Sequence, residues 1–208
     1  FVLTCLFLLI VSLFAQAQEF DLLIKNGRVI DPKNKIDATL DVAVANGKIA
    51  KVDKAIQPSR AKKVIDASGL LVVPGLIDIH THVFVGERAG KFADGIYSLS
   101  PDDFSFKSGV TTVVDAGTSG WRNFSAFKTQ VIDKSQTRIL SFLNIAGNGM
   151  SGDPDQQDMK DMDAKMTSLT VQQNPDIIVG IKIGHFEGPE WTPFDKALEA
   201  AKKSNVPL

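Results

Sequence analysis

His80 and His82 stand at alternate positions in Gly75-Leu76-Ile77-Asp78-Ile79-His80-Thr81-His82, with Asp78 two residues ahead. A strand repeats every two residues, so Asp78, His80 and His82 are expected on one face, with Ile77 and Ile79 packing on the other. Imidazole is a common zinc ligand, and a carboxylate behind it is a usual supporting partner. Taken alone, the pair reads equally well as two core histidines. The chain has 3 histidines in all, and two of them sit here.

Lys182 is the second chemically informative residue. In Ile177-Ile178-Val179-Gly180-Ile181-Lys182-Ile183-Gly184, alternation sets Val179, Ile181 and Ile183 on an apolar face and Gly180, Lys182 and Gly184 on the other. The apolar face packs on helices, which turns Lys182 inward. A buried ammonium is costly, and a neutral lysine amine is a nucleophile able to capture carbon dioxide. By itself, Lys182 reads as a lysine that snorkels to water. Asp115 can hydrogen-bond a ligand histidine or a loop backbone, a structural role being favoured over a catalytic one. Asn144 can touch a substrate or cap a loop. His185, in His185-Phe186-Glu187-Gly188-Pro189-Glu190-Trp191, reads as a loop histidine or a substrate contact.

The elements that must carry these residues fall into two patterns. From Phe20 to Val73 short strands alternate with turns. Asn26-Gly27 and Asn46-Gly47 both read as hairpin turns between apolar runs. From Gly75 onward strands alternate with helical stretches, the mark of a parallel α/β arrangement. Strands are expected over 76–82, 110–115, 138–145 and 176–183, and helices over 101–107, 123–134, 157–172 and 193–203. A Gly-rich loop follows the first strand, and Val206-Pro207-Leu208 begins a fifth. Active sites of barrels built this way lie at the C-terminal ends of the strands, where His80, His82 and Lys182 fall.

The stretch Val72-Val73-Pro74-Gly75-Leu76-Ile77-Asp78-Ile79-His80-Thr81-His82 resembles the first barrel strand of the amidohydrolase superfamily, the metal-dependent hydrolases related to dihydroorotase, hydantoinase and D-aminoacylase. Gly109-Val110-Thr111-Thr112 resembles a segment common on the second strand. The segment around His185 looks most like the dihydroorotase-like amidohydrolase/deacetylase subgroup. The resemblance implies the N-terminal half of a (β/α)8 TIM-type barrel over 75–208, preceded by a small β-sandwich segment over 18–74. It implies two divalent metal ions, zinc first among them, held by His80, His82 and a carboxylated Lys182 that bridges the pair. Asp78 and Asp115 support the ligands, and a small-molecule amide or acyl ester is hydrolysed by metal-activated hydroxide. Two further histidines and a proton-shuttling aspartate are expected beyond Leu208, so the chain reads as a fragment inactive alone. The competing expectation is a non-catalytic binding or scaffold relative; the His80, His82 and Lys182 set argues against it.

Composition narrows the partners. Net charge is -1, which gives no argument for nucleic acid or an acidic membrane surface. Phe1 to Phe14 is nearly all apolar and Ala15-Gln16-Ala17 follows, which reads as the core and cleavage site of an export signal over 1–17, truncated at its start. The run is shorter than the roughly 20 residues a membrane span needs. Cys5, the single cysteine, lies inside that run, so no lipid anchor, disulfide or cysteine-based zinc site is expected. An exported, periplasmic or secreted protein follows, with homo-oligomerisation left open.

Overall fold

The computed structural model describes residues 18–85, 98–150 and 155–208, and divides the chain at Pro74/Gly75 into two compact units. The export-signal segment and the Gly-rich loop after the first barrel strand lie outside the described residues.

In the first unit, β1 (Phe20–Asp31) is the spine of a mixed five-stranded sheet. It pairs antiparallel with β2 (Ile36–Ala45), which pairs antiparallel with β3 (Lys48–Asp53). On its other side β1 carries β4 (Ala61–Asp66) and then the short β5 (Leu71–Val72), both parallel to it. Among the described residues this unit is one sheet layer, with Phe20, Leu23, Ala43, Ile56 and Ala61 as its small core. Asn46-Gly47 is the β2–β3 hairpin turn, with both residues at positive φ (52° and 70°). Asn26-Gly27 is not a turn. β1 runs straight through it, with a register shift between Ile24 and Gly27. Asn26 takes a φ of 62°, its N–H donates to Asp41 Oδ1 and its amide to Asp66 Oδ1, so the dipeptide makes a bulge instead of a reversal. A Cβ on Gly27 would run into Val72, which leaves room only for glycine there.

The second unit is a four-stranded parallel sheet in the order β6-β7-β8-β9, the open half-barrel that alternating strands and helices predict. The strands are β6 (Leu76–Thr81), β7 (Val110–Gly120), β8 (Arg138–Asn144) and β9 (Ile178–Lys182). The helices are α1 (Pro101–Phe104), α2 (Phe124–Gln130), α3 (Ala164–Gln173) and α4 (Thr192–Ser204). Val113, Ile139, Leu143, Ile178 and Ile181 from the strands meet Phe124, Phe127, Val171, Ala197 and Ala200 from the helices in one core. α3 starts at Ala164, well after the expected position 157. Asp163 caps it by accepting from the N–H groups of Lys165 and Met166, and that cap sets the start. Residues 206–208 are not assigned as a strand, yet the Ile181 N–H donates to the Pro207 carbonyl at 2.9 Å, so the segment already lies along β9.

Two irregularities correct the simple alternation. On β9, Ser141 pairs with Ile178 but Phe142 pairs with Gly180, so Val179 is an extra residue. The bulge sends Ile178, not Val179, into the helix-facing core beside Ile181, while Gly180 and Lys182 keep the opposite face. On β6 the register with β7 shifts between Asp78 and Thr81. Asp78 therefore does not share a face with the histidines by simple alternation. Ile77 and Ile79 are exposed, not packed, because β6 is an edge of this sheet.

Candidate metal centre at the strand ends

β6 delivers His80 near its end, and His82 follows one residue past it. The two imidazoles meet edge to face, with ring centroids 5.6 Å apart. His80 is exposed and His82 half-buried. Burial pushes the His82 imidazolium down to about 4, and the positive potentials of His80, Lys182 and His185 add to the shift. His82 is thus neutral at physiological pH, the form in which an imidazole binds a metal. Asp78 accepts a hydrogen bond from the backbone N–H of His80 at 3.1 Å; this braces the strand and does not hold a ring.

The end of β7 shapes the floor. Between Ala116 and Gly120 the β7–β8 register slips, so Gly117, Thr118 and Ser119 bow out of the ladder. Asp115, fully buried, holds this bow. Its Oδ1 accepts from the Thr118 N–H at 2.7 Å and its Oδ2 from the Val83 N–H at 2.9 Å, tying β7 to the backbone just after His82. Burial pushes the Asp115 carboxyl up to about 6, against the pull of those N–H donors. Thr118 Oγ1 lies 2.9 Å from His82 Nδ1. Sequence reasoning passed over Thr118; the signal available was the Asp-x-x-Thr spacing, in which a carboxylate can accept the N–H three residues on.

β9 brings Lys182 to the same end. Lys182 pairs across the ladder with Asn144, and a Cβ on Gly117 would lie 2.5 Å from its Cγ. His80 and Lys182 line one cavity of about 300 Å³ together with Ala116, Phe142 and Ile181. Lys182 is part-buried rather than enclosed. Asn144 is committed to backbone: its amide donates to the Gly117 carbonyl at 3.1 Å and its oxygen accepts from the Ala146 N–H at 3.0 Å. His185 sits in the loop after β9 at a φ of 59°, exposed, with its carbonyl accepting from Gln157. The structure thus brings His80, His82 and Lys182 together, keeps Asp115 one step behind, and leaves Asn144 and Asp78 bonded to backbone.

A half-barrel of parallel βα units with histidines and a lysine at its strand ends defines the class as a (β/α)-barrel protein. No protein-family model matches the chain. It is 32% identical over 184 residues to a deacetylase of Agrobacterium fabrum, a match that covers 85% of this chain and 44% of that protein. Its structure is similar to that of a dihydroorotase (TM-score 0.75, 30% identity, 89% of this chain and 49% of that one). It is similar also to an adenine deaminase (TM-score 0.73, 30% identity, 89% of this chain and 48% of that one). The chain belongs to the amidohydrolase superfamily. It spans less than half the length of the deacetylases it matches.

The donor set fits a divalent ion in part. Two adjacent imidazoles, one of them held neutral, are good ligands for a borderline cation such as zinc. Among the described residues no group of three or more His, Cys, Asp or Glu is gathered at one point.

Proposed function

We propose that the full-length protein is a metal-dependent hydrolase that cleaves a small amide or acyl ester, of the dihydroorotase-like/deacetylase kind. The observation that carries this reading is the convergence of His80, His82 and Lys182 at the C-terminal ends of β6 and β9, with His80 and Lys182 on the wall of one cavity. The deacetylase match across 85% of the chain supports the acyl-group side of the proposal.

In this reading His80 and His82 would hold a divalent ion, and Lys182, once carboxylated, would add oxygen ligands to the metal centre. When bound, such ions polarise a carbonyl and bring the pKa of water toward about 7. The chain's own residues do the positioning. Thr118 and Asp115 fix the His82 ring. Gly117 gives the Lys182 stem a path along the strand end, and Asn144 closes the loops beneath it. Phe142 and Ile181 supply an apolar wall that keeps bulk water from the inner side. We also propose export, on the apolar run 1–14 and Ala15-Gln16-Ala17. Among the described residues no helix is long and apolar enough to cross a membrane.

The test is metal analysis and a substrate panel on the full-length protein. About two equivalents of zinc, with release of acetate from N-acetyl or O-acetyl small molecules, is the expected result. A protein that retains no divalent metal after mild dialysis and cleaves no member of either set overturns the proposal.

A further inference from the structure

The sequence holds three Asn-Gly pairs, at 26–27, 46–47 and 148–149, and the fold treats them differently. The pair is open to internal attack, because a glycine nitrogen has no side chain beside it to block its approach to the asparagine amide. Within β1 the Asn26 amide donates to Asp66 Oδ1 at 3.0 Å, and the buried Gly27 lies against Val72. In the loop after β8 the Gly149 N–H donates to the Ala146 carbonyl at 2.9 Å, and Gly149 is buried against the backbone of Thr118 and Ser119. Asn46 and Gly47 are both exposed at the tip of the β2–β3 hairpin, and a Cβ on Gly47 would meet nothing within 4 Å. The Asn46 backbone N–H donates to Asp21 Oδ2 at 2.8 Å. Among the described residues neither the Gly47 N–H nor the Asn46 side-chain amide has a hydrogen-bond partner.

We propose that Asn46 is a site of spontaneous deamidation in the folded protein, while the same dipeptide at Asn26 and Asn148 is protected by its packing. The Gly47 nitrogen gives up its proton to water and attacks Asn46 Cγ. The new C–N bond closes a cyclic imide, and the side-chain nitrogen leaves as ammonia. Water then opens the ring at either carbonyl, giving aspartate or isoaspartate. At the hairpin tip this takes the rotation of one exposed peptide and disturbs no buried group. At Asn26 the amide must first leave Asp66 and Gly27 must leave Val72; at Gly149 the attacking N–H must first leave Ala146. Either product puts a new carboxylate beside Asp21, whose other oxygen accepts from Lys62 Nζ at 2.7 Å. Isoaspartate also lengthens the main chain within a two-residue turn whose twist matches its strands, so it loosens the Ala45–Lys48 closure. β3 is exposed along nearly its whole length, which confines the damage to this hairpin.

Peptide mass spectrometry on the full-length protein, aged in warm, mildly alkaline buffer with and without urea, tests this. In the folded protein Asn46 should convert at least about tenfold faster than Asn26 or Asn148, since enclosed sites react only through local opening, and the three rates should converge in urea. Isoaspartate is read separately by methyl transfer from an isoaspartyl methyltransferase. Asn46→Gly removes the reactive amide and keeps a residue that accepts the positive φ of the turn. Its isoaspartate content after ageing should fall to near the level of fresh protein. Folded protein in which Asn26 or Asn148 converts as fast as Asn46 overturns the proposal. So does an Asn46 slowed by folding as much as the other two, or an Asn46→Gly variant that gathers isoaspartate at the wild-type rate.

Discussion

The stem of Lys182 rests against the bare Cα of Gly117: a Cβ there would come within 2.5 Å of Lys182 Cγ and 2.7 Å of its Cβ. Gly117 also has a φ of +87°, which side-chain-bearing residues rarely adopt. The position therefore admits glycine for two independent reasons, space and backbone. We expect Gly117→Ala to lower stability by about 1–3 kcal/mol and to push Lys182 off its path. Thermal denaturation checks the first effect. Loss of metal content in a variant that remains folded checks the second.

His80 is exposed, so its removal should be nearly silent in the fold. His80→Asn is expected within about 0.5 kcal/mol of the wild type in stability. Its zinc content should nevertheless drop by at least half under dialysis that leaves the wild type loaded. Denaturation and elemental analysis on one preparation separate the two effects. Undiminished zinc would remove His80 from the ligand set.

Asp115 predicts a pH dependence with a definite sign. Its folded pKa is raised to about 6 from 3.8, chiefly by burial, so the folded state binds the proton more tightly than the unfolded chain. The stabilisation from that proton is fully present below about pH 4 and is lost as pH rises through about 6. Asp115→Asn cannot titrate. The stability difference between wild type and Asp115→Asn should therefore be larger near pH 4 than near pH 7, by up to about 3 kcal/mol. Urea denaturation of both proteins across this range checks it, and a difference that grows with pH would refute it.

In the first unit the buried carboxylate of Asp41 accepts from Lys25 Nζ at 2.7 Å and from the N–H groups of Asn26 (2.9 Å) and Ile56 (2.8 Å). Burial raises its pKa, but Lys25 and the two N–H groups outweigh this and hold the carboxyl below its ordinary range. Asp41→Ala should destabilise the unit by about 1–3 kcal/mol, since it leaves the buried Ile56 N–H without its acceptor and takes one of two partners from the part-buried Lys25 ammonium. Limited proteolysis should then cut within 18–74 first. An equally resistant variant would show that water replaces the carboxylate.

Much of this protein was legible without coordinates. The βα alternation after Gly75 follows from hydrophobic periodicity, and the placement of His80, His82 and Lys182 at one end follows from strand direction. Those are local patterns that the chain carries in its own order of residues. What alternation could not reveal was each place where a ladder slips. Asn26-Gly27 has the composition of a turn, yet long-range bonds to Asp41 and Asp66 hold it as a bulge within β1. Val179 is displaced by a slip against β8, and Asp78 is uncoupled from the histidine face by a slip against β7. The support of His82 by Thr118, 36 residues away, depends on the same kind of event. A bulge is decided by the partner strand and by the buried polar groups that must find acceptors. The residue types of the candidate centre were therefore written in the sequence, while its hydrogen-bonded scaffold was settled by strand-to-strand register, which exists only once the sheet has formed.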